Sequence, residues 1–233
     1  MIKQKTKNKK TLQKTKINTQ ALQSIIKTKK NKTKIIAVTK NLSINAVNSA
    51  IENKIKIIGE NKIQETILKF QNYKKRNKIE LHLIGHLQTN KTKKAVTLYD
   101  IIETADTKKI IYKINNEAKK INKKQKIYLQ INIGKDPKKH GFFEEEIERV
   151  CGDIKNLDNI KIKGVMTILQ QKTTQKDQKK LYLKTKKIQT KIKQKHFKSC
   201  TDLSMGMSKD YEIASKCGAT HIRIGRLLYG KRT

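Results

Sequence analysis

The chain has 233 residues, with 56 Lys+Arg against 19 Asp+Glu and a formal charge of +37. That length suits one large domain or two small ones. The charge invites a polyanionic partner, but only five of the basic residues are Arg and the lysines run along the whole chain instead of gathering on one stripe.

With one Pro and no Trp, the excess of Lys, Ile and Asn has the signature of an A+T-rich coding bias. The lysines are therefore assigned to solvated surface, where charge sets solubility and not fold. No specific nucleic-acid partner is expected, and the positions that keep Gly and Arg become the informative ones. The three Cys form no CxxC pair, which points to a reducing, cytoplasmic compartment. No apolar run approaches the ~20 residues of a membrane span, and the N-terminus lacks the apolar stretch of a signal peptide.

Residues 1–10 are expected to be a basic, disordered tail, and 11–233 a single domain. A helix is predicted near 19–30, with Leu22, Ile25 and Ile26 inward. IIAVTK (35–40) is a short β-branched run and ends in Lys40. SINAVNSAIENK (43–54) has helical spacing, with Ser43 as cap and Ile44, Val47 and Ile51 on one face. IKIIGEN (55–61) is the second strand, and 62–73 a helix with Ile63, Ile67 and Phe70 aligned. LHLIGHL (81–87), YDIIETAD (99–106), IYLQINI (127–133) and IKGVMTI (162–168) are further strands. A long helix over 175–197 carries Leu181, Ile188 and Ile192. DLSMGM (202–207) leads into a helix over 208–217, capped by Ser208 and closed by Gly218, and HIRIGRLLYG (221–230) is the eighth strand.

Eight strands alternating with helices predict a (β/α)8 TIM barrel with an extra N-terminal helix, an open doubly wound sheet being the alternative. Barrel sites lie at the C-terminal ends of the strands, and phosphate sites often follow strands 7 and 8. Gly206 and Gly225 permit close backbone approach there, and Ser208 opens a helix whose free N–H groups favour an anion. Lys40 would face this cup across the mouth. A partly desolvated lysine opposite a phosphate site suggests pyridoxal 5′-phosphate (PLP) held as a Schiff base. Arg223 could meet the pyridine nitrogen. His82 and His86 do not form a helical metal pair, and no metal site is expected.

These motifs resemble one family. AVTK (37–40), GENKIQE (59–65), HLIGHLQTNK (82–91), ETADT (103–107), QINIGKDPKKHGF (130–142), IKGVMTI (162–168), LSMGMSKDYEIA (203–214) and IRIGRLLYG (222–230) together resemble the YggS/PROSC group of pyridoxal phosphate homeostasis proteins, related to the N-terminal barrel of alanine racemases. The resemblance spans roughly residues 20–232 and implies a PLP barrel of fold type III. It implies Lys40 as the lysine of the cofactor aldimine, Asn61 beside the ring and Arg223 at the pyridine nitrogen. It also implies Ser204, Ser208, Gly225 and the backbone of Arg226 as phosphate holders. Four positions depart from the family pattern: Lys62, Leu81, the Asn41-Leu42-Ser43 run and Arg226, where a small hydroxyl is usual.

Racemases with this barrel take a second base from an added β-domain, for which a chain of this length has no room. Two-face proton exchange needs an acid–base group on each side of the substrate carbon, and only Lys40 is in view. A monomeric PLP carrier without robust catalysis is therefore expected, with PLP-dependent apoenzymes as possible recipients. A small PLP enzyme with weak racemase or lyase activity is the alternative.

Overall fold

The computed structural model describes residues 15–170 and 173–230. The tail expected at 1–10 lies outside them. Eight short apolar runs, six of them with Ile, form strands: β1 Lys34–Val38, β2 Ile57–Glu60, β3 Glu80–Leu83, β4 Ile101–Ala105, β5 Gln125–Ile131, β6 Ile160–Thr167, β7 Asp202–Met207 and β8 His221–Ile224. Each pairs in parallel with the next, and β8 pairs with β1, so the sheet closes into a barrel. The helices are α1 Thr19–Thr28, α2 Ile44–Glu52, α3 Ile63–Phe70, α4 Thr92–Leu98, α5 Lys108–Lys120, α6 Ile147–Ile154, α7 Gln175–Lys195, α8 Tyr211–Lys216 and α9 Arg226–Tyr229. Crossover helices are what parallel neighbours require, and the barrel excludes the open-sheet alternative.

One apolar layer fills the space between strands and helices. It joins Ile35, Ile58, Leu81, Ile102, Leu129, Val165 and Leu203 of the sheet to Leu22, Val47, Ile63, Val96, Ile111, Val150 and Ile188 of the helices. Burying such side chains contributes roughly 1.5–3 kcal/mol each. All three thiols are buried in the fold.

Some expectations are corrected. Ile26 is 53 % exposed, so α1 docks through Leu22 and Ile25 alone. α7 buries Tyr182 and Thr185 with Ile188 and Ile192, while Leu181 lies at the edge. The predicted helix at 208–217 starts three residues later. Met207, Ser208, Lys209 and Asp210 form a turn closed by Asp210 N–H donating to Met207 O at 3.1 Å, and Asp210 stands at the N-cap position of α8 with its carboxylate turned away from the helix N–H groups. Its Oδ1 accepts from Met207 N–H at 2.6 Å and its Oδ2 from the Tyr182 hydroxyl at 2.8 Å. The run expected as an eighth strand over 221–230 breaks at Gly225 into β8 and α9. Gly218 follows α8 with φ +99°, as a glycine terminator should.

Candidate functional site

A cavity of about 250 Å³ opens at the C-terminal mouth of the barrel. Val38 and Lys40 line it from β1, Ile84 from β3, Ile168 to Gln170 from β6, Met207 to Asp210 from β7, and Arg223, Gly225 and Arg226 from β8. Five of the predicted residues, Lys40, Ser208, Arg223, Gly225 and Arg226, thus share one cavity.

Lys40 is half-buried, and the backbone on both sides of it is clamped. On one side the Thr39 hydroxyl donates to Glu60 Oε1 at 2.6 Å, and Lys69 Nζ donates to Thr39 O at 2.9 Å. Asn41 follows with φ +57°, its N–H donating to Glu65 Oε1. Lys69 ties the two carboxylates together, 2.6 Å from Glu60 and 3.3 Å from Glu65. Burial raises the Glu60 pKa and outweighs the opposing pull of Lys69. The sequence reading did not find this clamp, although the i, i+4 spacing of Glu65 and Lys69 announces the pair.

Arg223 is buried and projects from β8 into the barrel axis. Its Nη1 donates to Ser204 Oγ at 2.6 Å and its Nη2 to Thr167 O at 2.7 Å. The Ser204 hydroxyl donates in turn to Glu103 Oε2 at 2.7 Å, Glu103 Oε1 meets His82 Nδ1 at 2.6 Å, and His82 Nε2 meets Glu80 Oε1 at 3.0 Å. A hydrogen-bonded chain therefore crosses the barrel from the cavity inward. Burial would lower the His82 pKa, but its bonds to Glu103 and Glu80 prevail and raise it to about 9. Glu80 is held near 2, mainly by its bond to His82. Burial would raise the Glu103 pKa, yet its bond to His82, with Arg223 nearby, leaves it lowered.

Ser204 departs from its expected place. It is fully buried, it does not line the cavity, and both Glu103 and Arg223 occupy its hydroxyl. Gly206 likewise serves packing: at φ +88°, a Cβ there would lie 2.5 Å from Ala214 Cβ. α8 and α9 span six and four residues. Their dipoles are slight, and the positive charge of the cavity lining comes from the side chains of Arg223, Arg226, Lys209 and Lys40. Asn61 lies behind the lining, where Gly85 packs so close to it that a Cβ would sit 2.7 Å from Asn61 Cα. Asn61 Oδ1 is buried without a hydrogen-bond partner. Tyr229 is packed, its hydroxyl donating to Ala46 O at 3.0 Å. His82 and His86 diverge, the first into the barrel and the second to the mouth.

The family model for the alanine racemase N-terminal domain matches residues 11–233. A pyridoxal phosphate homeostasis protein of Synechocystis sp. is 36 % identical over 208 residues, which cover 89 % of this chain and 95 % of that protein. The chain belongs to the alanine racemase N-terminal domain family and, within it, to the pyridoxal phosphate homeostasis proteins. Among solved structures, PipY of Synechococcus elongatus PCC7942 without PLP superposes with a TM-score of 0.86 at 29 % identity, covering 91 % of this chain and 99 % of PipY. PipY with PLP bound gives 0.83 at 28 % identity over the same shares. Among the described residues, no helix is long and apolar enough to cross a membrane.

Proposed function

We propose that this chain binds PLP in the mouth cavity, attaches it through Lys40 and serves intracellular PLP homeostasis by holding and releasing the cofactor. The observation that carries the reading is the convergence of one clamped lysine and two arginines on a single cavity. The residues fit the group: a primary amine for its aldehyde, cations and a Ser208 turn for its phosphate, and the unpartnered Asn61 Oδ1 nearby for a polar ring substituent. When bound, PLP supplies an aldehyde that condenses reversibly with an amine.

Arg223 cannot deprotonate, so it would donate to the pyridine nitrogen and keep it unprotonated, which weakens the ring as an electron sink. Apart from Lys40, the ionisable cavity-lining residues among those described are Lys209, Asp210, Arg223 and Arg226. Asp210 has both oxygens engaged. No His, Glu, Cys or Tyr is among these described lining residues, which supports storage and hand-over to apoenzymes over fast proton exchange. Transfer from a monomer is the simplest form of this role.

The test is the absorbance spectrum of purified protein given PLP. A near-visible band that borohydride fixes on Lys40 is expected, with loss in Lys40→Ala. A protein that stays colourless, or one whose band survives Lys40→Ala because surface lysines carry it, overturns the assignment.

A further inference from the structure

A second cavity, of about 200 Å³, lies beside the first, and Ile84 and Ile168 wall both. His86 and His140 line it, and three consecutive strand ends bring together His86 after β3, Asp106 after β4 and His140 in the loop after β5. One ligand atom from each lies within 4.8 Å of the others. His86 Nδ1 is 2.8 Å from Asp106 Oδ2, and His140 Nδ1 is 3.7 Å from the same oxygen. The imidazoles stack with centroids 3.8 Å apart and planes 12° off parallel, so one exposed ring has to swing off the other before both nitrogens face a single ion.

The arrangement is built. Gln130 Nε2 donates to His140 O at 2.9 Å, and Gly141 at φ +122° folds the loop back so tightly that a Cβ would lie 2.8 Å from Asn132 N. The Thr104 hydroxyl donates to Gly85 O at 2.8 Å, tying the His86 segment to β4. The Asp106 side chain is 1 % exposed, and its second oxygen, Oδ1, is buried with no hydrogen-bond partner. A hydrogen-bonded His–Asp pair accounts for Oδ2 and leaves Oδ1 without a role, and an unpaired buried carboxylate oxygen is costly. A cation bound by the carboxylate would relieve that cost. Both imidazoles are exposed, so an entry path exists. The Lys139 ammonium, on the same cavity, donates to the Ile168 and Leu169 carbonyls instead of to the carboxylate.

We propose that His86, Asp106 and His140 form a site for a first-row divalent metal, with Zn²⁺ as its occupant. Two imidazoles and a carboxylate suit Zn²⁺ and not Mg²⁺ or Ca²⁺, and three protein ligands leave a position for water or an incoming group. The sequence reading, which expected no metal, could not see the set, because its members lie 20 and 34 residues apart on separate loops.

The test is titration of chelator-treated full-length protein with Zn²⁺, and with Co²⁺ followed by its visible absorption. One tight equivalent is expected, weakened on the order of 100-fold in His140→Ala and in His86→Ala. Because the His140 side chain is exposed, its variant is expected to fold, which circular dichroism checks. His140→Gln is the fallback. Binding unchanged in His196→Ala, which removes the imidazole paired with Glu148, and in Lys40→Ala separates this site from surface ligands and from the PLP assignment. The absence of stoichiometric binding, or binding that both His86→Ala and His140→Ala leave intact, overturns the proposal.

Discussion

Arg223 reaches Glu103 through the hydroxyl of Ser204: Nη1 lies 2.6 Å from that oxygen, and the hydroxyl donates to Glu103 at 2.7 Å. The guanidinium facing the cavity is therefore held by an anion at the centre of the barrel. Removing that anion leaves two buried cations short of a partner. Glu103→Gln is expected to lower stability by about 3 kcal/mol, measured by urea unfolding. A loss below about 1 kcal/mol would show that the network contributes little.

The same chain sets a pH profile. His82 has its pKa raised from an ordinary 6.5 to about 9, so its contribution is complete below 6.5 and disappears as pH rises through 9. His221 is lowered to about 4, first by burial and then by the charge of His82, so its contribution is lost as pH falls from 6.5 to 4. Thermal stability should peak near neutrality and fall on both sides. His82→Gln should flatten the alkaline limb between pH 6.5 and 9, and an unchanged limb in scanning calorimetry would contradict the assignment.

Gly85→Ala places a methyl group against the backbone of Asn61. The strand end must shift, and the mouth shifts with it. Retention of PLP should fall about tenfold or more while the far-ultraviolet circular dichroism stays native, which equilibrium dialysis and the spectrum together will show.

Arg226 is exposed and lines the cavity, and of the residues proposed for the phosphate it is the one that departs from the family pattern. Arg226→Ala should weaken PLP roughly fivefold, with a larger effect at low salt. Pyridoxal, which lacks the phosphate, should be insensitive to the change. Equal effects on both ligands would place Arg226 away from the phosphate.

The barrel was legible because most strands are short β-branched or apolar runs between turn signals, a pattern that sequence reading detects. Helix α8 starts later than its local sequence suggests because the turn at 207–210 is held by the Asp210 carboxylate, which accepts from Met207 N–H. Tyr182, from α7 and 28 residues away, donates to the other oxygen of that carboxylate, a contact no local pattern reveals. Lys40 and Arg223 could be placed from strand ends alone. The inward partners could not: Glu103, His82 and Ser204 look like ordinary strand residues until closure of the sheet points them at one another. Asp106 and His140 were hidden for the same reason, since adjacency around a barrel mouth leaves no fixed spacing in the chain.

The three buried cysteines acquire a meaning beside an aldehyde cargo. Burial pushes Cys151 and Cys200 up to about 12 and raises Cys217. Neutral, enclosed thiols neither add to carbonyls nor oxidise readily. The chain thus withholds its sulfur chemistry from a reactive passenger, and the contest for that passenger is fought among amines alone.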